Sequence, residues 1–523
     1  MTNKYLLKTI VLIVCLSGIA NLSKAQPLNS QAIDALVQRS MKTFNVPGIA
    51  VGIIKDGQVI YAKGHGVRSL NTNQPMDENT LFGIASNSKA FTAAALGILV
   101  DEGKLKWDDK VRDYIPEFKL YNAYVSEDFT IRDLLTHRSG LGMGAGDLML
   151  VDDGSDFTIK DVIHNLRYLK QTSSFRTKYD YDNNLYIVAG EVITRITGKS
   201  WPEFVEERII QPLGMNKTAG LTDRLKDKSN VIDAHAAVEG KVQVIARMKF
   251  TVGAAAGGIN SNITDLLKWV QTLLAHGKYG EGQSKRLYSE AVAQELWTPQ
   301  TILRVRTPGP YNTHFSAYGL GFFLSDVNGY KEVSHTGGLP GEFTQITLLP
   351  ELNLAIILLT NQQEAEAMFS ITNQIKDAYF GKTGTDWIAD AAKRRAQAIA
   401  EAKAITDAVW NNINKALQNG QTQDINLFVG NYADAWLGNA MITLKNGKLR
   451  FDAKRSPHMT GEMLPYKGTT FVVKWDDRSM DADAYLTFTL DQEGKASGFT
   501  MKAISPLTDF SYDFHDLDFH RVK

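Results

Sequence analysis

Apolar and polar positions change their period several times along this chain, and those changes divide it. Residues 51–61 are two β-branched runs joined by Asp56-Gly57, the signature of a hairpin. From Ser88 to about Glu102, the apolar residues Phe91, Ala94, Ala95, Ile98 and Leu99 recur at helical spacing on one face. Two further apolar runs, 343–349 and 354–359, read as adjacent strands separated by Pro350-Glu351. Strands at both ends of this region with helical patterns between them predict an α+β domain over residues 26–380. Its antiparallel sheet is expected to draw its edges from the two termini of the domain.

Beyond 380 the texture changes. Residues 384–419 are rich in Ala, Lys, Arg and Glu, with Trp387, Ile388, Ala391, Ile399 and Ile405 near helical spacing, so 381–423 reads as a helical linker. Residues 441–451 alternate across Asn446-Gly447, a strong hairpin signal, and 469–475 and 485–490 continue in that style. A separate all-β module, a small barrel or sandwich, is expected over 424–523.

The first 25 residues belong to neither unit. Lys4 and Lys8 precede a short apolar run, and Ser23 and Ala25 place small residues at −3 and −1 of a cut before Gln26. This is the pattern of a cleaved secretory signal, so the protein is expected to be periplasmic or secreted, with no membrane span afterwards. Cleavage removes the single cysteine, Cys15, so the exported chain has neither disulfide nor thiol chemistry. It also takes three of the 57 basic residues and none of the 57 acidic ones, leaving a net charge of about −3. That balance argues against a nucleic-acid partner.

No His stands in HExxH, no Ser in GxSxG and no glycine-rich phosphate loop is present, so no metal or cofactor is implied. Ser86-Asn87-Ser88-Lys89 remains. A Ser and a Lys three residues apart share one helix face, and the Ser stands near the positive end of the helix dipole. A partly desolvated Lys loses its charge and accepts the hydroxyl proton, activating a weak nucleophile. Alone, the tetrapeptide better suits an N-cap Ser beside a solvated Lys. Two further features stand in the same domain. Tyr181-Asp182-Asn183 offers a phenol to relay a proton and an amide to bond a substrate. Ser334-His335-Thr336-Gly337-Gly338 leads into a strand whose glycines permit close approach, and the Gly338 N–H could pair with that of Ser86 as an oxyanion hole.

These elements in this order resemble the serine β-lactamase and penicillin-binding superfamily, in its class C β-lactamase-like branch of esterases, D-peptidases and related hydrolases. The resemblance covers about residues 27–380 and extends to Leu134–Leu141, Pro212-Leu213-Gly214-Met215 and Gly257-Gly258-Ile259. It implies an antiparallel sheet flanked by helices with an all-α subdomain. It also implies that Ser86 forms an acyl-enzyme, that Lys89 and Tyr181 share the acid–base work, and that Asn183 orients the substrate. His335, Thr336, Gly337 and Gly338 would complete the substrate and oxyanion site. His335 stands where the family usually has the Lys of KTG. A literal KTG at Lys382-Thr383-Gly384 has no strand behind it and reads as a helix end instead. His137, within another matching segment, is assigned a structural role.

A neutral imidazole grips a substrate carboxylate less well than an ammonium, and HxG resembles the esterases and peptidases more than the efficient β-lactamases. The expected substrate is therefore a small ester, amide or peptide. The alternatives are a true class C-type β-lactamase or D,D-carboxypeptidase, and a non-catalytic binder of cell-wall peptides. The β module resembles lipocalin-like barrels appended to some of these hydrolases. It is expected to cap the cleft or support an oligomer, without catalytic residues of its own. Segments 142–176 and 300–317 are expected to shape the cleft.

Overall fold

The computed structural model describes residues 27–150, 154–418 and 424–523; the leader expected over 1–25, with its cut at Ala25-Gln26, lies outside them. Helix α1 (Ser30–Phe44) is followed by the predicted hairpin, β1 (Gly48–Lys55) and β2 (Gln58–Gly66), turning at Asp56-Gly57. Helix α2 (Ser88–Asp101) matches the sequence reading in place but not in pattern. Residues 88–99 are all buried, because its Ala-rich run is apolar all round and lies inside the helical subdomain. That subdomain includes α3 (Asn183–Thr197) and precedes α4 (Ile263–Leu274).

The sheet is completed by β3 (Thr301–Leu303), β4 (Ser316–Tyr318), β5 (Phe323–Val327), β6 (Tyr330–Leu339), β7 (Glu342–Leu349) and β8 (Leu354–Thr360). Its order is β2-β1-β8-β7-β6-β5-β4-β3, antiparallel throughout. This corrects the expected edges: the first and last strands, β1 and β8, pair with each other inside the sheet. Their residues are apolar on both faces and buried along almost their whole length, which only an interior strand satisfies. Helix α4 covers one face, while α1 and α5 (Ala365–Phe380) cover the other.

Helix α6 (Trp387–Gln418) bridges the two halves. Trp387, Ile388 and Ala391 pack with the layer of α1 and α5, and Val409 and Ile413 pack against Val472 and Ile504 of the β module. That module is a closed antiparallel barrel of eight strands, from Gly430–Asp434 to Asp518–Val522. Aromatic side chains fill its interior, with Phe451, Phe499 and Phe519 within ring-contact distance of one another. The barrel is not an independent appendage. Arg455 pairs with Asp156 and Asp161 and lies over the Phe157 ring, and Asn165 donates to the Trp436 carbonyl, so the two apolar cores run together.

Candidate active site

Ser86 lies in a single 3₁₀ turn (Ala85–Asn87) that runs into α2. Ala85 before it holds φ 48°, a left-handed conformation that costs a non-glycine residue about 1 kcal/mol and lifts the Ser out of the strand-to-helix path. The turn is pinned from two sides. Thr344 on β7 donates its hydroxyl to the Ile84 carbonyl and accepts from the Asn87 amide, and Ser88 accepts the Ile259 N–H. Strand β6 then comes so close that a Cβ on Gly337 would stand 2.3 Å from the Ile84 oxygen. His335, Thr336, Gly337 and Gly338 pair with β7, whereas the ladder with β5 stops at Ser334. This stretch of β6 lines the cleft beside Ser86.

Lys89 is buried, and its Nζ reaches three oxygens: Ser86 Oγ at 3.0 Å, Asn183 Oδ1 at 2.7 Å and the Ala256 carbonyl at 2.9 Å. Two of these can only accept. A neutral amine therefore keeps its two N–H groups on Asn183 and Ala256 and turns its lone pair to the Ser86 hydroxyl. Burial lowers the Lys89 pKa to about 7, although Asp147 and Asp182 favour its charge. Tyr181 lines the cleft with Ser86, and its ring lies 4.8 Å from the Lys89 Nζ; burial raises the phenol well above its ordinary value, so it stays a neutral hydroxyl.

The other expected residues are present with modified surroundings. Asn183 donates to the Asp147 carboxylate at 2.8 Å while accepting from Lys89, so one N–H and one lone pair remain for a substrate. The His335 Nδ1 donates to the Thr336 carbonyl at 2.6 Å, which fixes the tautomer, and Nε2 accepts from the Tyr318 hydroxyl at 2.9 Å. Burial and the Lys89 charge lower its pKa to about 3. The donor or acceptor that the sequence left at this position is thus already engaged within the protein. His137 is fully buried among Tyr179, Tyr181, Tyr186 and Tyr318, and its Nδ1 accepts the Asp182 N–H, which supports the turn carrying Tyr181. Lys382-Thr383-Gly384 lies between α5 and α6, where Gly381 terminates α5 in the left-handed conformation. None of the three lines the cleft.

The cleft encloses about 420 Å³. Met143, Tyr179, Phe250, Phe323, Phe343 and Phe510 give it an apolar wall, and among the described residues no Lys or Arg lines it. Of the two segments expected to shape it, 142–176 supplies Met143, Asp147 and Leu150, whereas 300–317 supplies nothing. In place of the latter, the barrel contributes Ser479, Met480 and Asp509–Tyr512. Sequence reasoning missed Asp147 and the barrel residues. Gly142, Gly144 and Gly146, alternating just before Asp147 and all at positive φ, are the one local sign of an unusual backbone there. Nothing local marks Ser511 or Asp513, which arrive from more than 360 residues away.

Comparison with known proteins agrees with this architecture. Residues 33–379 match the β-lactamase family, and 415–521 match a domain of unknown function, DUF3471. An unguisins hydrolase of Aspergillus campestris is 31% identical over 340 residues, covering 62% of this chain and 60% of that protein. Protein flp of Staphylococcus aureus is 25% identical over 336 residues, covering 64% and 63%. The matched region thus spans about three fifths of these relatives' length. Among solved structures, the octameric penicillin-binding protein homologue from Pyrococcus abyssi has the same fold, with a TM-score of 0.59 at 20% identity over 94% of this chain and 100% of that one. With its SxxK turn, YxN segment and HxG strand edge gathered around one cleft, the chain belongs to the β-lactamase family of serine hydrolases.

Proposed function

We propose that the protein is an exported serine hydrolase that cleaves small esters, amides or peptides through an acyl-enzyme on Ser86. The observation that carries the reading is the Lys89 amine, 3.0 Å from Ser86 Oγ with both of its remaining N–H groups committed elsewhere. Neutral Lys89 takes the hydroxyl proton as Oγ attacks the substrate carbonyl. The N–H groups of Ser86 and Gly338 receive the negative charge that develops on the carbonyl oxygen. Tyr181 donates a proton to the leaving group as the bond to it breaks, and Lys89 returns that proton to the phenol. Water then attacks the Ser86 ester by the same route, and the acid is released with Oγ reprotonated.

The substrate class follows from the cleft. A β-lactam or a peptide C-terminus carries a carboxylate, and here the cleft is largely apolar, His335 is neutral and no Lys or Arg among the described residues lines it. Uncharged acyl groups fit better. A relative named for the hydrolysis of unguisins supports hydrolysis in this branch. Export rests on the leader pattern of residues 1–25, and no helix among the described residues is long and apolar enough to cross a membrane. The octameric neighbour supports self-association, which light scattering in solution tests. Replacing Ser86 by Ala tests the whole reading: turnover of p-nitrophenyl esters must vanish while the fold remains.

A further inference from the structure

The barrel does more than roof the cleft. Asp147 begins a 3₁₀ turn (Asp147–Met149), and the N–H groups on either side of it, those of Gly146 and Leu148, both donate to the carboxylate of Asp513, at 2.7 and 3.1 Å. The hydroxyl of Ser511 donates to Asp147 Oδ2 at 3.0 Å, the same oxygen that accepts the Asn183 amide. The barrel loop reaches this far because Gly144 has no side chain: a Cβ there would stand 2.6 Å from the Phe510 oxygen. Ser511 and Asp513 thus hold Asp147 by its side chain and by the backbone on both sides.

Asp147 in turn decides which way Asn183 faces. An ionised carboxylate only accepts, so the amide must turn its NH₂ toward Asp147 and its carbonyl oxygen toward Lys89. The reverse orientation would set a donor against the Lys89 N–H groups and a carbonyl against a carboxylate. An interface serving adhesion alone has no use for two buried carboxylates, Asp147 and Asp513, whose charges oppose each other.

We infer that the C-terminal barrel belongs to the catalytic apparatus: through Ser511 and Asp513 it positions Asp147, which locks Asn183 in the orientation that presents a carbonyl oxygen to Lys89. The three are positioning residues, since they act on Lys89 through Asn183, and the inference rests on Lys89 being the general base. Burial raises the Asp147 pKa to about 7, beside a Lys89 value lowered to about 7, so the two groups compete for a proton across one amide. The other titratable groups facing this pair are Asp182, Asp509, Asp513, Tyr181, Tyr186, His137 and His335.

The test uses the full chain and measures acylation of Ser86 by p-nitrophenyl acetate, mapped to its peptide, from pH 5 to 9. Asp147→Asn is expected to lower the plateau rate about 100-fold, as misplacement of a catalytic group does. It should also move the acid limb to lower pH, because the carboxylate that favours the Lys89 ammonium is gone. Ser511→Ala removes one hydrogen bond at a half-buried position, so it keeps the fold; it lowers the plateau about 3-fold and shifts the limb the same way, because Asp147 holds its charge less well. Asp513→Asn lowers the plateau about 10-fold if it folds, and Ser511→Ala carries the test if it does not. Unshifted limbs with a wild-type plateau, or losses that merely follow a lowered Tm, overturn the inference. Absence of the adduct from wild-type Ser86 overturns the acyl-enzyme reading instead.

Discussion

The Nζ of Lys89 stands 3.0 Å from the Oγ of Ser86, and the two residues are held by different means. Ser86 depends on a strained turn clamped by β7, while Lys89 depends on Asn183 and on the Ala256 carbonyl of the Ala254–Gly257 turn. Lys89 therefore loses solvent without losing its partners, which is the condition for a lysine to work as a base near neutrality.

Replacing Lys89 by Met keeps the length of the side chain and removes the base. Ester turnover should fall by about 10³-fold or more. Its Tm should change little, because relief of the desolvation cost of a buried amine offsets the loss of its donors to Asn183 and the Ala256 carbonyl. A scanning-fluorimetry Tm alongside kcat separates these two effects.

The pH profile has a definite sign. Lys89 must be unprotonated to accept the Ser86 proton, so kcat/KM should be low below pH 6 and rise through a midpoint near the lowered pKa of about 7. No fall should follow up to about pH 10, since Tyr181 keeps its proton well beyond its ordinary range. A bell centred on neutrality would contradict the assignment of Tyr181 as a neutral donor.

His335→Lys places an ammonium in a cleft that no Lys or Arg among the described residues lines. Nitrocefin, which carries a carboxylate, should gain on a neutral p-nitrophenyl ester by about 10-fold in relative kcat/KM. The substitution breaks the Tyr318 and Thr336 hydrogen bonds and adds a buried cation near the Lys89 amine, so Tm should drop. An unchanged substrate ratio in a folded variant would remove the charge argument for substrate class.

Gly337→Ala tests the approach of β6 to the nucleophile. The added methyl would meet the Ile84 oxygen at 2.3 Å and the Ala85 Cβ at 3.0 Å, so strand and turn must separate. A loss of about 2 kcal/mol in stability and at least about 100-fold in kcat is expected. A variant with full activity would show that the close approach has no part in catalysis.

Much of this was legible from the residues. Asp56-Gly57 and Asn446-Gly447 announce their hairpins because few other pairs adopt the required turn, and both stand where expected. Ser86, Lys89, Tyr181 and His335 could be singled out because they stand in short local motifs, and the fold gathers all four at one cleft. Strand order was less legible: the β1–β8 pairing joins residues about 300 apart, and only the two-sided burial of both strands marks them as interior. A barrel capping the cleft was among the expectations, but which of its residues reach the site was not legible. Asp513 and Ser511 sit in a loop whose composition is ordinary, and their importance arises from a docking geometry that no local pattern encodes.

The most direct measurement is peptide-mapped mass spectrometry of the protein quenched during turnover of a p-nitrophenyl ester. The acyl group is predicted on the peptide containing Ser86, with a rate of formation that rises through pH 7, and it should be absent from Ser86→Ala. An acyl group found elsewhere, or turnover that persists in a folded Ser86→Ala variant, would contradict the account.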